Sequence, residues 1–164
     1  MAEERHTLTV EDSLALWLEG RVAFNAWTAK HRSAELNFSG VDFSQYRRHP
    51  NVSGPEWPLA LRDCGNCLLT FDGANFGDGD TSFRGLMASA EGADISFRNA
   101  MFGEGNVNFS GGQFRLCDFT EAKFGDGDLN FSHRNFGQET VFDRTVIGVG
   151  RVLFRKTRFI TRVS

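Results

Sequence analysis

The chain has 164 residues, 17 of them Phe against a single Tyr, and a formal net charge of −3. That length gives one domain with a real core, and that charge neither supports general nucleic-acid binding nor suffices for mimicry of a nucleic acid. Three Cys cannot complete a set of disulfides, no apolar run reaches the roughly 20 residues of a membrane span, and the N-terminus lacks a secretory signal, so the cytoplasm is the expected compartment.

Residues 1–33 are expected to form a helical cap. In "TVEDSLALWLEGRVAFNAWTAKHRS", Thr9 and Asp12 make a capping pair and Leu14, Trp17 and Leu18 share one face. Gly20 is placed to divide the segment into two helices. Val22, Phe24 and Trp27 then offer an apolar face able to close the open end of whatever follows.

From residue 34 the spacing changes. Phe38, Phe43, Leu59 and Cys64 mark a first coil, with residues 44–58 as a Pro-rich excursion from its second corner. Four coils then read Phe71, Phe76, Phe83, Ala90; Phe97, Phe102, Phe109, Phe114; Phe119, Phe124, Phe131, Phe136; and Phe142, Ile147, Phe154, Phe159. The first step in each is five residues and the second seven. Two positions before these stand small or β-branched residues (Val41, Ala74, Thr81, Ile95, Ala100, Val107, Cys117, Ala122), and the residue between is mostly polar. In–out–in alternation marks short strands with one buried face, and steps of five and seven fit no amphipathic helix. The expected fold is all-β: a four-sided solenoid over residues 34–164, about five coils stacked ~4.8 Å apart with Phe upon Phe.

The seven-residue step is written four times: "FGDGDTSF" (76–83), "FGEGNVNF" (102–109), "FGDGDLNF" (124–131) and a worn "IGVGRVLF" (147–154). Its glycines are expected to turn the corner with positive φ. Asp78, Glu104 and Asp126 fall at one loop position, and Asp80, Asn106 and Asp128 at another. They predict an acidic outer ridge, the candidate interaction surface, with Arg151 following Asp128 as partial compensation. Carboxylates and loop carbonyls could suit calcium, but calcium β-rolls carry an inward Asp where this chain has Thr81, Val107 and Leu129. A solvated ridge without metal is the expected reading. "CGNC" (64–67) has the spacing of a zinc or redox half-site but lacks further ligands, with Cys117 expected roughly 10 Å up the stack; its cysteines are read as inward filling. The His residues share no repeat position, and carboxylates on a convex ridge lack the desolvation that tunes a general acid. Neither enzymatic activity nor a cofactor is expected. After Asp143 the charge turns basic, with Arg144, Arg151, Arg155, Lys156, Arg158 and Arg162.

The units "VDF", "ANF", "AMF", "GQF", "CDF" and "AKF", the steps "FSGVDF", "FDGANF" and "FTEAKF", and the leader "EGRVAFNAW" with Phe24, Asn25 and Trp27 resemble the bacterial pentapeptide-repeat proteins, over nearly the whole chain after about residue 14. The resemblance implies a right-handed quadrilateral β-helix acting as a non-catalytic scaffold for a protein partner. As an alternative it implies a mimic of duplex DNA acting on the topoisomerase gyrase and giving quinolone tolerance. Family coils use four steps of five; here coil spacings of 26, 22 and 23 residues open one corner into a loop. Phe154, Phe159, Ile160 and Val163 would leave an apolar, edge-exposing last coil. A homodimer through that end is therefore expected, and the resemblance implies the same. Neither a membrane nor direct nucleic-acid contact is expected.

Overall fold

A computed structural model describes residues 5–59, 65–88 and 93–159. Helix α1 (Val10–Leu18) starts where Thr9 accepts the Asp12 N–H on its Oγ1 at 3.1 Å. Gly20, at φ 105°, separates it from α2 (Arg21–Lys30). Short strands follow: β1 (Glu35–Asn37), β2 (Leu68–Thr70), β3 (Thr81–Ser82), β4 (Asp94–Ser96), β5 (Val107–Asn108), β6 (Gln113–Asp118), β7 (Lys123–Phe124), β8 (Leu129–Asn130), β9 (Asn135–Val141), β10 (Val146–Ile147), β11 (Val152–Leu153) and β12 (Arg158–Phe159). They pair in parallel, one coil upon the next, in the orders β1-β2-β4-β6-β9-β12, β10-β7 and β11-β8-β5-β3. The result is a β-solenoid of about four turns, the interval closed between Phe38 and Phe142.

The Phe positions form ring columns through the interior. Phe38, Phe71, Phe97, Phe119 and Phe142 stack 5.0–5.3 Å apart and within 8° of parallel. Phe43, Phe76, Phe102 and Phe124 stack at 4.5–5.1 Å, and Phe83, Phe109, Phe131 and Phe154 at 5.1–5.5 Å. Neighbouring columns meet edge to face, as between Phe83 and Phe97 at 80°. Parallel pairing fixes the ring spacing, and the perpendicular contacts align ring edges with ring faces, the favoured aromatic geometry.

The fourth column corrects one expectation. Ala88, fully buried, bridges to Phe114 and occupies the slot assigned to Ala90. Ala90 and Cys64 lie outside the described residues. A small residue leaves no mark in a grid recognised by its rings, and Ala90 two positions on fits the pattern equally well. The third step is thus five residues in every coil from Phe83 onward, and coil length varies at the fourth corner. Phe114 to Phe119 takes five residues, while β9 carries an extra residue opposite Arg115 in β6.

The polar residue between inward neighbours closes a local turn. Asn37, Asp42, Asn75, Ser82, Asn108, Asp118 and Asn130 each accept the N–H of the residue two ahead, at 2.8–3.3 Å. Asn, Asp and Ser make this turn because a short side chain reaches its own backbone.

The cap covers the first coil as expected in part. Trp17 meets Phe43 edge-on at 5.0 Å and donates its Nε1–H to the Pro58 carbonyl at 2.7 Å. Phe24 is buried and Trp27 half-buried, but Val22 is 83% exposed; the second helix turns only Phe24 and its neighbours one turn on toward the coil. Thr7 also bridges to Glu35 beside β1, which covers the first strand's edge.

Candidate functional site

The ridge carboxylates sit where the sequence places them and are already engaged. Asp78 accepts the Glu104 N–H at 3.1 Å, Glu104 accepts the Asp126 N–H at 3.1 Å, and Asp126 accepts the Val149 N–H at 3.0 Å. In the second line, Asp80 accepts from Asn106 at 2.9 Å, Asn106 from Asp128 at 2.9 Å, and Asp128 from Arg151 at 3.0 Å. Each acceptor reaches up one coil to a loop N–H that would otherwise lack a protein partner. Only an acceptor is needed, so Asn106 serves among the acids. The fourth copy donates through Val149 and Arg151 and bonds no coil beyond it among the described residues, which accounts for its lost acids.

Basic groups frame this ladder. Arg47, from the excursion, enters the first phrase and donates to the carbonyls of Phe76 (2.7 Å), Gly79 (3.1 Å) and Asp80 (2.9 Å). Burial lowers its pKa, opposed by Asp80 and Asp78. At the other end Arg151 pairs with Asp128 at 2.6 Å, and its hydrogen bonds hold that carboxyl below the usual range. The excursion was expected; a side chain returning from it to close the phrase was not.

The phrase glycines do a different job from the expected one. Gly77 and Gly79 have positive φ, of 67° and 113°, but Gly103, Gly105, Gly125 and Gly127 do not. A Cβ on any of these four would overlap backbone of the coil beneath. Positive φ instead recurs two residues after the first-column rings, where Gly40 and Gly73 give way to Asn99, Glu121 and Arg144.

One buried group was not singled out from sequence. Arg134, fully buried, points into the core, where its guanidinium lies 3.7 Å over the Phe114 ring. It donates to the carbonyls of Phe109 and Leu86, the latter at 3.0 Å. Gly112 stands one coil below with no side chain, and this leaves room. Desolvation lowers the Arg134 pKa to about 9. The legible signal was an Arg two before Phe136, in a slot that elsewhere takes a small residue. Nearby Cys117 fills the column between Ile95 and Thr140, and burial pushes its thiol pKa well up. Cys67 is likewise buried. Among the described residues no group of three or more His, Cys, Asp or Glu converges as a metal site.

The last coil presents its rings to solvent. Phe154 is 43% and Phe159 60% exposed, beside exposed Phe142 and Ile147. Ile160 and Val163 lie outside the described residues. Arg144 pairs with Glu121 and Asp143, whereas Arg155, Lys156 and Arg158 have no ion-pair partner among the described residues. No described helix is long and apolar enough to cross a membrane. Comparison with family models, curated proteins and solved structures finds no match to the chain.

Proposed function

We propose that this chain is a non-catalytic interaction scaffold of the pentapeptide-repeat type, whose partner is first a second copy of itself, docked through the last coil. The observation that carries the reading is the exposure of Phe154 and Phe159 at the end of ring columns that are otherwise buried. Stacked rings at about 5 Å end there, and strands β10, β11 and β12 leave one edge unpaired by any described strand. Two such ends related by a two-fold axis cover each other's rings and edges. Charge supports the arrangement: Arg155, Lys156 and Arg158 on the last coil and Glu139 on β9, which pairs with β12, are all exposed, so the cations of one copy can meet the acid of the other at the rim. The family reading is supported by five-residue corners with one ring and one inward residue each.

The ridge acids serve the stack before they serve a partner, since each accepts a bond from the next coil. The gyrase alternative gains nothing from this geometry. A mimic of duplex DNA needs a continuous negative face, and the neighbouring column runs Asp42, Asn75, Met101, Lys123.

Sedimentation equilibrium at micromolar concentration tests the dimer. Wild type is expected at twice the chain mass, and Phe159→Asp at one chain mass with its circular dichroism retained. A wild-type mass of one chain overturns it.

A further inference from the structure

The excursion after Phe43 and the two helices line a half-open cavity of about 170 Å³. Its floor is apolar: Trp17, Phe24, Trp57 and Leu59 line it and are each at most 5% exposed. Its rim is polar, with Arg21, Asn51 and Ser53 exposed. Three contacts, each joining a helix to the excursion, set the walls. Trp17 donates its Nε1–H to the Pro58 carbonyl at 2.7 Å, Asn51 donates its Nδ2–H to the Leu18 carbonyl at 3.0 Å, and Arg21 pairs with Glu56 at 3.0 Å. Trp57 is held in turn by edge-on contacts with Phe43 and Phe76 and by the Arg47 guanidinium, 4.0 Å over its ring.

A cavity formed in this way, before anything enters it, selects by size and by burial. Water is held well only where about two to four polar partners surround it, and the floor presents apolar side chains instead. Water there is displaced at a gain by an apolar group. An apolar cavity of about 150 Å³ holds one benzene ring, so about 170 Å³ accepts a single ring with one small substituent and leaves no room for a second ring. Charge on the ligand gains nothing, because Arg21 and Glu56 stand paired at the rim and each repels the charge that the other attracts.

We propose that this cavity binds an uncharged single-ring aromatic molecule of the size of phenol. The ring packs against the aromatic floor of Trp17, Phe24 and Trp57, and its substituent faces the polar rim. The site is independent of the dimer reading, since it lies at the opposite end of the stack from Phe154 and Phe159.

The test is an NMR titration of the 15N-labelled full chain with phenol, following the three indole N–H resonances. Trp17 and Trp57 line the cavity and Trp27 does not. Two resonances should therefore shift saturably with one dissociation constant, and the third, the one lost in Trp27→Phe, should stay. Should that variant fail to fold, two moving resonances out of three are still read in the wild type. 2-Naphthol measures the size limit. Adsorption on exposed rings would favour its larger surface by about tenfold, whereas the cavity should hold it no more tightly than phenol. Benzoate keeps the single ring but must lose the hydration of its charge, and should bind at least about tenfold more weakly than phenol. The absence of any saturable indole shift overturns the proposal. So do equal shifts of all three resonances, tighter binding of 2-naphthol, or benzoate binding as tightly as phenol.

Discussion

Gly127 and Gly40 are the same residue kept for different physical reasons. Gly127 has ordinary φ, but a Cβ there would overlap the Gly105 carbonyl one coil below; Gly40 has open space around it and a φ of 69°. Asn tolerates the left-handed region, and Asn99 already holds it two coils up the same column. Gly40→Asn should therefore change stability by less than about 1 kcal/mol, whereas Gly127→Asn should cost about 1–3 kcal/mol or more as backbone is forced apart. Urea denaturation of the two variants checks this, and equal losses would return the phrase glycines to a purely conformational role. Phe109, fully buried among rings on four sides, should cost about 3–5 kcal/mol when cut to Ala. Arg134 is the residue-scale exception, a cation in an aromatic core. Arg134→Ala leaves a void and should cost about 2–4 kcal/mol, while Arg134→Met fills the slot without desolvating a charge and should stay within about 1 kcal/mol of wild type. Its folded pKa of about 9 lies well below the ordinary guanidinium value. The unfolded chain therefore binds the proton more tightly, and this group's penalty is present at neutral pH and relieved as pH rises above about 9. Relative to Arg134→Met, wild type should gain stability between pH 8 and pH 10.5, read by thermal melts at each pH; a constant difference would place the guanidinium in water.

The repeated phrase is an element whose acids answer a hydrogen-bonding need. A seven-residue corner swings its backbone out of the regular ladder, and a side-chain acceptor restores the missing bond to the coil above. Asp126→Asn keeps an acceptor and should be neutral to within about 0.5 kcal/mol, while Asp126→Ala strands the Val149 N–H and should cost about 0.5–1.5 kcal/mol. If both variants lose stability equally, charge and not bonding is what the ridge requires. The ridge itself was legible because three copies of one phrase align its acids. Their task was not, since an acceptor and its donor lie 22 to 26 residues apart and leave no local pattern. The only trace was the fourth copy, where Val149 and Arg151 need donate only. Slots filled by rings were read correctly from Phe71 to Phe159, while the slot filled by Ala88 was missed because a small side chain looks the same two residues further on.

At the scale of the whole molecule the two ends differ. The first coil is covered by α1, α2 and the Thr7 bridge; helical spacing and capping residues showed the two helices in the sequence, but not the bridge. The excursion was legible as an insertion, but not the cavity that it lines together with α1 and α2. The last coil carries the functional reading, because there the ring columns meet solvent. Hydrogen–deuterium exchange at two protein concentrations tests that reading most directly. If the last coil is the interface, amides in residues 142–159 gain protection as concentration rises through the micromolar range, and those in residues 66–88 do not change. Equal protection of residues 142–159 at both concentrations, in a protein that sediments as one chain, would contradict it.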